Sequence, residues 1–285
     1  MKKILYTGKV RNIYQHEDFN KLYIETTNRL SSFDKHICNL ENKGKILTLI
    51  CVFMFNKTKH IISNHYISHI NNILVVKKCI PFKIEFVVRG YITGNTVTSL
   101  WTHYNNGERN YCGIDFPDNL KKNQKLLEPV ITPTTKDIED IPISKKEIID
   151  KNYMTKDECE FIYKKSMELF LYGQQLADNS GFILVDTKYE FGKDENGNII
   201  LIDELHTCDS SRYWLKNTYQ NNFDNNLEPD KLDKDCIRDW VKNHCNPYID
   251  KIPEIPEDLK KKTIESYQYF YNKIIDSPSI LNDNL

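Results

Sequence analysis

Residues 188–204 read KYEFGKDENGNIILIDE, two β-prone runs separated by Asn196-Gly197. Asn-Gly between such runs is a strong signal for a β-hairpin, because a type I′ turn needs a positive φ at both central residues. A two-residue loop at these positions sets a register in which Glu190 lies directly opposite Asp203. The stretch therefore predicts an antiparallel hairpin with two carboxylates side by side on one face of a sheet.

The predicted carboxylate pair needs a positive partner, because like charges that face each other destabilise a sheet. Mg²⁺ prefers oxygen ligands and is often held by one or two carboxylates together with phosphate oxygens. Because side chains alternate between the faces of a strand, Asp186 and Lys188 share the face of Glu190. This face is either a magnesium and phosphate site or the solvated outer face of a surface hairpin, and the hairpin pattern alone leaves both open.

The strand that carries Glu190 begins in a predicted core, because residues 182–185 are the apolar run FILV. Gly181 precedes this run and ends a helix that starts at the T-x-x-E capping box of residues 155–158. A second capping box, S-x-x-E, occupies residues 144–147. The remaining predicted elements are a β-hairpin or strand meander in residues 4–27, strands over residues 71–76 and 84–89, helices over residues 46–62 and 256–275, and a polar loop or extension over residues 217–235.

A glycine followed by two cations lies at a predicted turn near the N-terminus, in residues 6–14, YTGKVRNIY. Gly8 lets backbone N–H groups approach a phosphate, and Lys9 and Arg11 supply positive charge. The spacing matches neither of the common glycine-rich nucleotide motifs. By itself the pattern is more typical of an ordinary hairpin turn than of a phosphate site.

Three further segments carry an arginine among polar or glycine residues. In residues 27–34, Arg29 and Asp34 belong either to a site or to an internal salt bridge. Arg89 ends an apolar strand and is followed by two glycines, which is a usual place for a charge that faces a ligand. Residues 203–214, DELHTCDSSRYW, continue directly from the carboxylate strand, and their density of polar groups suits a sugar-phosphate pocket.

Composition argues against several classes of function. The chain has 285 residues and a formal net charge of −1, so it has no general attraction to nucleic acid or anionic lipid. Its longest strongly apolar run, residues 46–55, is about half the roughly 20 residues that a membrane span needs, and no signal-peptide pattern is present. Eight cysteines without a CxxC pair predict reduced thiols in a cytoplasmic protein. His206 has no nucleophile arranged beside it and is interpreted as structural.

Taken together, these segments resemble the SAICAR synthetase family, the ligases of purine biosynthesis. The matching blocks occur in the family's order and are residues 8–14, 29–34, 88–94, 184–192 and 203–214. The resemblance implies a two-lobed α+β fold. It implies a small antiparallel ATP-binding lobe over residues 1–88 and a larger substrate- and metal-binding lobe over residues 89–285, with a C-terminal helical extension from about residue 217.

The resemblance also implies the reaction. An ADP-forming carbon–nitrogen ligase of this family joins L-aspartate to 5-amino-1-(5-phosphoribosyl)imidazole-4-carboxylate (CAIR), giving SAICAR, ADP and phosphate through an acyl phosphate. ATP and Mg²⁺ are the expected cofactors, and CAIR, L-aspartate and ATP are the expected partners, with a homo-oligomer left open. Neither nucleic acid nor a membrane is an expected partner, and the expected location is the cytoplasm.

Carried over position by position, the resemblance assigns a role to each site residue. The residues expected at ATP are Gly8, Lys9, Val10, Arg11 and Glu85. The residues expected at CAIR are Arg89, Asp209, Ser210 and Arg212. The expected Mg²⁺ ligands are Glu190 and Asp203, the pair that the hairpin register also predicts. The expected catalytic residues are Lys188, near the phosphates, and Asp186 and Asp34, as candidates to accept protons from the amine of aspartate.

The chain departs from the family pattern at three positions. Asn28 stands where many members have Asp, Asn95 where a Ser that touches the nucleotide substrate is usual, and Cys208 where a Pro is common.

Two other functions are compatible with parts of the pattern. A small-molecule kinase with the same ATP lobe would release ADP without aspartate. A non-catalytic nucleotide- or RNA-binding module would bind RNA in a salt-sensitive way.

Overall fold

A computed structural model describes residues 3–33, 35–136 and 140–276. In chain order the strands are β1 (Ile4–Thr7), β2 (Arg11–Gln15), β3 (Lys21–Thr26), β4 (Arg29–Ser32), β5 (Lys35–Asn39), β6 (Tyr66–Ile70), β7 (Ile73–Lys77), β8 (Ile80–Ile92), β9 (Asn110–Tyr111), β10 (Ile114–Asp115), β11 (Gln124–Thr135), β12 (Phe182–Lys193), β13 (Ile199–Ile202) and β14 (Ser211–Leu215). The helices are α1 (Lys43–Lys57), α2 (Leu100–Asn105), α3 (Lys145–Asp150), α4 (Lys156–Asn179), α5 (Lys216–Asp224), α6 (Asp235–His244) and α7 (Glu257–Ile275).

The fold is of the α+β class, as expected, and contains two large antiparallel sheets. The first has the strand order β1-β2-β3-β7-β6, which confirms the meander predicted for residues 4–27. The second has the order β11-β8-β12-β13, and β14 pairs with β12 as well. The first sheet ends at Lys77 and the second begins at Ile80. The lobe boundary at residue 88 stays a prediction.

Helix α1 starts three residues earlier and ends five residues earlier than the apolar run predicts. At its start, the side-chain Oδ1 of Asn28 accepts a hydrogen bond from the Gly44 N–H (3.0 Å), so a residue outside the helix satisfies one of the free N–H groups of its first turn. At its end, the Thr58 hydroxyl donates to the Met54 carbonyl (2.9 Å). Such local side-chain bonds compete with continuation of a helix.

The contact of Asn28 makes a stability prediction. Asn28→Ala removes the acceptor of the Gly44 N–H, and we expect the free energy of unfolding to fall by about 1 kcal/mol. Asn28→Asp keeps an acceptor and adds a negative charge at the start of a helix, which is favourable there, so we expect no loss. Urea denaturation of both variants measures the difference. Equal losses for the two variants would show that this cap does not stabilise α1.

Both predicted capping boxes are confirmed. The side chains of Ser144 and Thr155 accept hydrogen bonds from the N–H groups of Glu147 and Glu158, and each glutamate returns a bond to the first residue of its box. The hydrogen bonds from Ser144 lower the pKa of Glu147 to about 2. Gly181 then adopts a φ of +84° just beyond α4 and turns the chain into β12.

The predicted hairpin forms, but its register is shifted by one residue. Glu190 of β12 pairs with Ile202 of β13 and not with Asp203, so the predicted direct opposition of the two carboxylates was wrong. Asp203 lies just beyond the end of β13 with a φ of +67°.

The loop of this hairpin explains the shift. Asp194 pairs with Asn198 through the backbone (N···O 3.0 Å), which leaves three residues in the loop instead of two. The side-chain Oδ1 of Asp194 accepts hydrogen bonds from the N–H groups of Asn196 (3.0 Å) and Asn198 (2.9 Å). Gly197 has a positive φ of 80°, whereas Asn196 has not, so a type I′ turn is ruled out. An aspartate that bonds the backbone two residues on favours this longer turn.

For the polar segment over residues 217–235 the composition predicted a loop or a short extension. The structure shows that it contains most of the helix α5. Aromatic contacts anchor this polar helix to the second sheet. Tyr219 stacks on Trp214 of β14 with ring centroids 5.5 Å apart, and its hydroxyl donates to the Asn123 carbonyl (2.8 Å).

The main core lies between α1, α4, α7 and the second sheet. His206 is fully buried in it and its Nε2 lies 2.6 Å from the Tyr189 hydroxyl, which supports the structural interpretation of this histidine. Burial lowers the pKa of His206 to about 3. Among the residues that the structure describes, none of the helices combines the length and the apolar character needed to cross a bilayer.

Candidate active site

Two cavities adjoin each other between the sheets. The larger, about 520 Å³, is lined by the Gly8–Arg11 turn of the first sheet and by the β12–β13 hairpin. The smaller, about 200 Å³, is lined by β8, β12 and the segment that leads into α6. Five side chains line both cavities and mark their junction: Glu85, Lys188, Asp209, Lys234 and Arg238.

Lys188 connects the carboxylates at this junction. Its Nζ lies 3.1 Å from Glu85 Oε2, 3.1 Å from Glu190 Oε1 and 3.4 Å from Asp203 Oδ2. Burial opposes the charge of the ammonium group, but these three carboxylates raise the pKa of Lys188 well above its usual value. The lysine is therefore cationic and is held among three acids.

Glu190 and Asp203 meet at Lys188 although they are not paired across the hairpin. The positive φ of Asp203 turns the chain back after β13, so that its carboxylate returns to the face of Glu190. Burial and the charge of Asp203 raise the pKa of Glu190. Burial acts in the same direction on Asp203, but Arg11 and Lys188 hold its pKa well below the usual range. Neighbouring acids whose pKa values are shifted in opposite directions are typical of a functional centre.

Arg11 reaches this centre from the first sheet. Its guanidinium contacts Asp203 Oδ1 and lies 2.9 Å from Glu204 Oε2. The Gly8 N–H donates to the Arg11 carbonyl (2.7 Å), which closes the predicted turn. The sequence pattern assigned Arg29 either to a site or to a salt bridge with Asp34. In the structure Arg29 donates hydrogen bonds to the carbonyls of Gly8 (3.0 Å) and Lys9 (3.1 Å) and so stabilises this turn.

Asp34 lies outside the described residues, so its expected role stays a prediction. Lys9 and Val10 line the larger cavity beside Gly8 and Arg11, and the expected role of these residues at ATP stays a prediction.

The four residues expected at CAIR, Arg89, Asp209, Ser210 and Arg212, all line the smaller cavity. Two of them converge on Asp186. Arg212 Nη1 bonds Asp186 Oδ2, and Arg89 Nη1 lies 3.7 Å from the same oxygen. Asp186 is therefore an ion-pair partner of two arginines in this structure, and its expected role toward the amine of aspartate stays a prediction.

Asp209 has two buried partners that sequence patterns did not indicate. Lys43 Nζ lies 2.5 Å from Asp209 Oδ2, and the Tyr267 hydroxyl donates to Asp209 Oδ1 (3.0 Å). Both partner side chains have no exposed surface. Lys43 begins α1 and Tyr267 lies on α7, so they are 166 and 58 residues away from Asp209 in the chain. A local pattern could not have found them.

The Tyr267 contact predicts a kinetic effect. In Tyr267→Phe the ring keeps its packing, but Asp209 loses a hydrogen-bond donor that helps to orient its carboxylate. We expect kcat/KM for CAIR to fall about tenfold, since a hydrogen bond to a charged group contributes about 1.5–3 kcal/mol. Tyr269→Phe, at an exposed position of the same helix, is the matched control. A lower melting temperature with unchanged kinetics would show that Tyr267 only stabilises the fold.

Residues from the C-terminal extension also form the smaller cavity, although sequence patterns indicated no role for them. Asp235 at the start of α6 accepts from Arg212 Nε (2.9 Å) and from Arg238 Nη1 (2.6 Å). The charged run KLDKDCIRD at residues 231–239 was the only available signal. The C-terminal extension therefore contributes side chains to the lining of the smaller cavity.

Glu190 and Asp203 fit a magnesium ion that is shared with a substrate. In the part of the chain that the structure describes, no group of three or more His, Cys, Asp or Glu side chains is arranged as a protein-only metal site. Two carboxylates completed by phosphate oxygens are a usual donor set for Mg²⁺. Burial raises the pKa of Glu190, and Lys188 and Lys136 oppose this shift.

The chain resembles proteins of known function over most of its length. Residues 4–255 match the family model described as SAICAR synthetase. A relative from Vigna aconitifolia, "Phosphoribosylaminoimidazole-succinocarboxamide synthase, chloroplastic", is 49% identical over 88% of this chain and 74% of its own length. A relative of the same synthase name from Legionella pneumophila (strain Lens) is 46% identical over 98% of this chain and 90% of its own length. The solved structure of the SAICAR synthase from Saccharomyces cerevisiae complexed with SAICAR has a TM-score of 0.81 at 27% identity, and covers 96% of this chain and 94% of its own.

Proposed function

The chain belongs to the SAICAR synthetase family, and from this premise we propose which of its residues carry out the family's reaction. It is an ADP-forming ligase that joins L-aspartate to CAIR with the use of ATP, in purine biosynthesis. The relatives named above are ligases, so neither the kinase nor the non-catalytic binding module is supported.

One observation supports the placement of the substrates. Glu85 and Lys188 line both cavities, and the Lys188 ammonium group also contacts the carboxylates of Glu190 and Asp203, which line the larger one. We place ATP in the larger cavity, with its phosphates at the Gly8–Arg11 turn and Lys188. We place CAIR in the smaller cavity, with its phosphate and ribose toward Arg89 and Arg212, so that its carboxylate points to the junction.

The chemistry needs positioning and charge more than a side-chain nucleophile. A carboxylate oxygen of CAIR attacks the terminal phosphorus of ATP and ADP leaves, which gives an acyl phosphate. The amine of aspartate then attacks the acyl carbon, inorganic phosphate leaves, and the nitrogen loses a proton as the amide forms. Holding the reactants in line and neutralising phosphate charge are the main sources of rate in such transfers.

Glu190 and Asp203 are the residues that would hold Mg²⁺, which supplies positive charge to the phosphate oxygens when bound. Arg11 forms an ion pair with Asp203. The proposed role of Arg11 is therefore to position this carboxylate as well as to face the phosphates of ATP. Lys188 remains cationic and offsets the charge of the acids around it.

An omission assay tests the function. With CAIR, L-aspartate, ATP and Mg²⁺ present, we expect ADP and SAICAR to form in equal amounts, and leaving out any one component is expected to stop SAICAR formation. Sustained ADP release without aspartate would instead indicate a kinase, and no ADP release under any condition would contradict the ligase.

We also propose that the enzyme works in the cytoplasm. All eight cysteines lie in the described residues and none forms a disulfide, which suits a reducing compartment. A homo-oligomer stays a prediction, which light scattering of the purified protein tests.

A further inference from the structure

Most cations that line the two cavities are held by carboxylates of the chain. Arg11 contacts Asp203 and Glu204, Lys188 contacts three acids, and Lys136 contacts Glu190. In the smaller cavity Arg212 is held by two aspartates. These cations are already neutralised by the protein.

Lys234 is different. It immediately precedes α6 and lines both cavities. Within residues 3–33, 35–136 and 140–276, its Nζ makes no hydrogen bond and no ion pair. Burial lowers the pKa of Lys234 to about 8, opposed by the negative charge of Asp209. Lys234 is partly exposed, and an ammonium group that is shielded from water without a bonded anion favours a ligand that supplies one.

Arg238 lies one helical turn beyond Lys234 and also lines both cavities. Its Nε donates to Ser32 Oγ (2.8 Å) and its Nη1 to Asp235 Oδ1 (2.6 Å). No hydrogen bond from its Nη2 is present among the described residues. Residues four apart on a helix are neighbours on one face, so the two cations present two donors to the same junction.

The junction is where a third substrate has to lie. The nucleophile must reach an acyl carbon formed between the terminal phosphate of ATP and the carboxylate of CAIR, and the two cavities meet at that point in the proposed arrangement. L-aspartate carries two carboxylates beside its amine. We propose that Lys234 and Arg238 bind these two carboxylates, which makes them the specificity-determining residues for aspartate; this inference rests on the placement of ATP and CAIR proposed above.

The pair also accounts for selection of a dicarboxylic amino acid. An amino acid with one carboxylate would leave either the Lys234 ammonium group or the free Nη2 of Arg238 without an acceptor at the junction. A site that is built for a polar group rejects a substrate that lacks it, because its own buried group is then unpaired. L-asparagine, which has an amide in place of the second carboxylate, is therefore the informative competitor.

Steady-state kinetics of the full chain test the proposal. In Lys234→Met we expect the KM for L-aspartate to rise about 30-fold, from the loss of a charged hydrogen bond, while the KM values for ATP and CAIR change by less than about twofold. Lys231→Met is the matched control, because Lys231 bonds Asp239 (2.5 Å) and lines neither cavity. We expect the control to keep the KM for aspartate of the unmodified enzyme.

Selectivity gives a second readout that a loss of stability would not move. The ratio of kcat/KM for L-aspartate to that for L-asparagine is expected to fall at least about tenfold in Lys234→Met, and Arg238→Lys is expected to retain most of the ratio. Succinate, a dicarboxylate without an amine, should inhibit competitively with aspartate, and less strongly in Lys234→Met.

Three outcomes would overturn the proposal. They are an unchanged KM for aspartate in Lys234→Met, a rise in the KM for CAIR instead, and an unchanged selectivity ratio. The unmodified enzyme separates this inference from the function itself: if it forms no SAICAR, the ligase assignment fails, whereas an active enzyme with any of these outcomes contradicts only the aspartate site.

Discussion

Glu190→Gln is expected to abolish turnover, with kcat lower by at least about 10³-fold. The amide keeps the shape of the side chain but removes a negative ligand from the proposed Mg²⁺ site, and removal of one preorganised electrostatic group in an active site typically costs about 10²–10³ in rate. Loss of a metal ligand adds to this effect. The measurement is the rate of SAICAR formation over a range of Mg²⁺ concentrations.

The same substitution is expected to leave the fold intact or slightly more stable. Burial and Asp203 raise the pKa of Glu190 in the folded chain. A carboxyl group whose pKa is raised by folding destabilises the fold at any pH above its unfolded value, because ionisation then favours the unfolded chain. Neutral Gln removes this term at neutral pH, so we expect an equal or higher melting temperature.

A matched control is available on the same hairpin. Glu195 is exposed in the loop, and Glu195→Gln removes the same charge without touching either cavity. We expect full activity from this variant. Retained activity of Glu190→Gln with normal Mg²⁺ dependence would refute the metal assignment, and a loss that both variants share would point to the hairpin as a whole.

Lys188→Met is expected to lower kcat by about 10²–10³-fold. The ammonium group is the cation shared by Glu85, Glu190 and Asp203 at the junction of the cavities. Its removal takes positive charge away from the place where the terminal phosphate is expected, and leaves three carboxylates to repel each other. Single-turnover ADP formation separates phosphoryl transfer from later steps, and we expect the loss in phosphoryl transfer.

This substitution is also expected to lower stability, since breaking a buried ion pair leaves its partner charge uncompensated. Lys188→Arg keeps the positive charge and tests the site if the Met variant does not fold. Lys193→Met is the control, because Lys193 lies on the same strand but is bonded to Glu158, away from both cavities. Normal phosphoryl transfer in a folded Lys188→Met enzyme would remove Lys188 from the proposed mechanism.

Local patterns were sufficient for much of the fold. The capping boxes at Ser144 and Thr155, the glycine stop after α4 and the alternating strands near the N-terminus depend on residues within a few positions of one another. The motifs that resemble the family lie in contiguous blocks for the same reason, and each block except residues 29–34 contributes at least one of the cavity-lining residues expected at the site.

The hairpin register shows the limit of such patterns. Asn196-Gly197 indicated the turn correctly, but the side chain of Asp194 lengthened it by one residue. The two carboxylates nevertheless meet, because Asp203 turns back with a positive φ and Lys188 joins it to Glu190. The two carboxylates thus lie close together, as predicted, although the pairing from which this was predicted does not exist.

The amino-acid pattern alone was enough for the class of elements, for the family and for most of the residues that we propose around ATP and CAIR. Chain folding supplied the partners that these residues have: Lys43 and Tyr267 on Asp209, Arg29 on the glycine turn, and Lys234 and Arg238 at the junction. The physical reason is the separation along the chain of the residues that interact. Hydrogen bonds within a turn or a cap are encoded by neighbours in the chain, whereas a buried charge is neutralised by whichever distant element packs against it, and packing depends on the whole sequence.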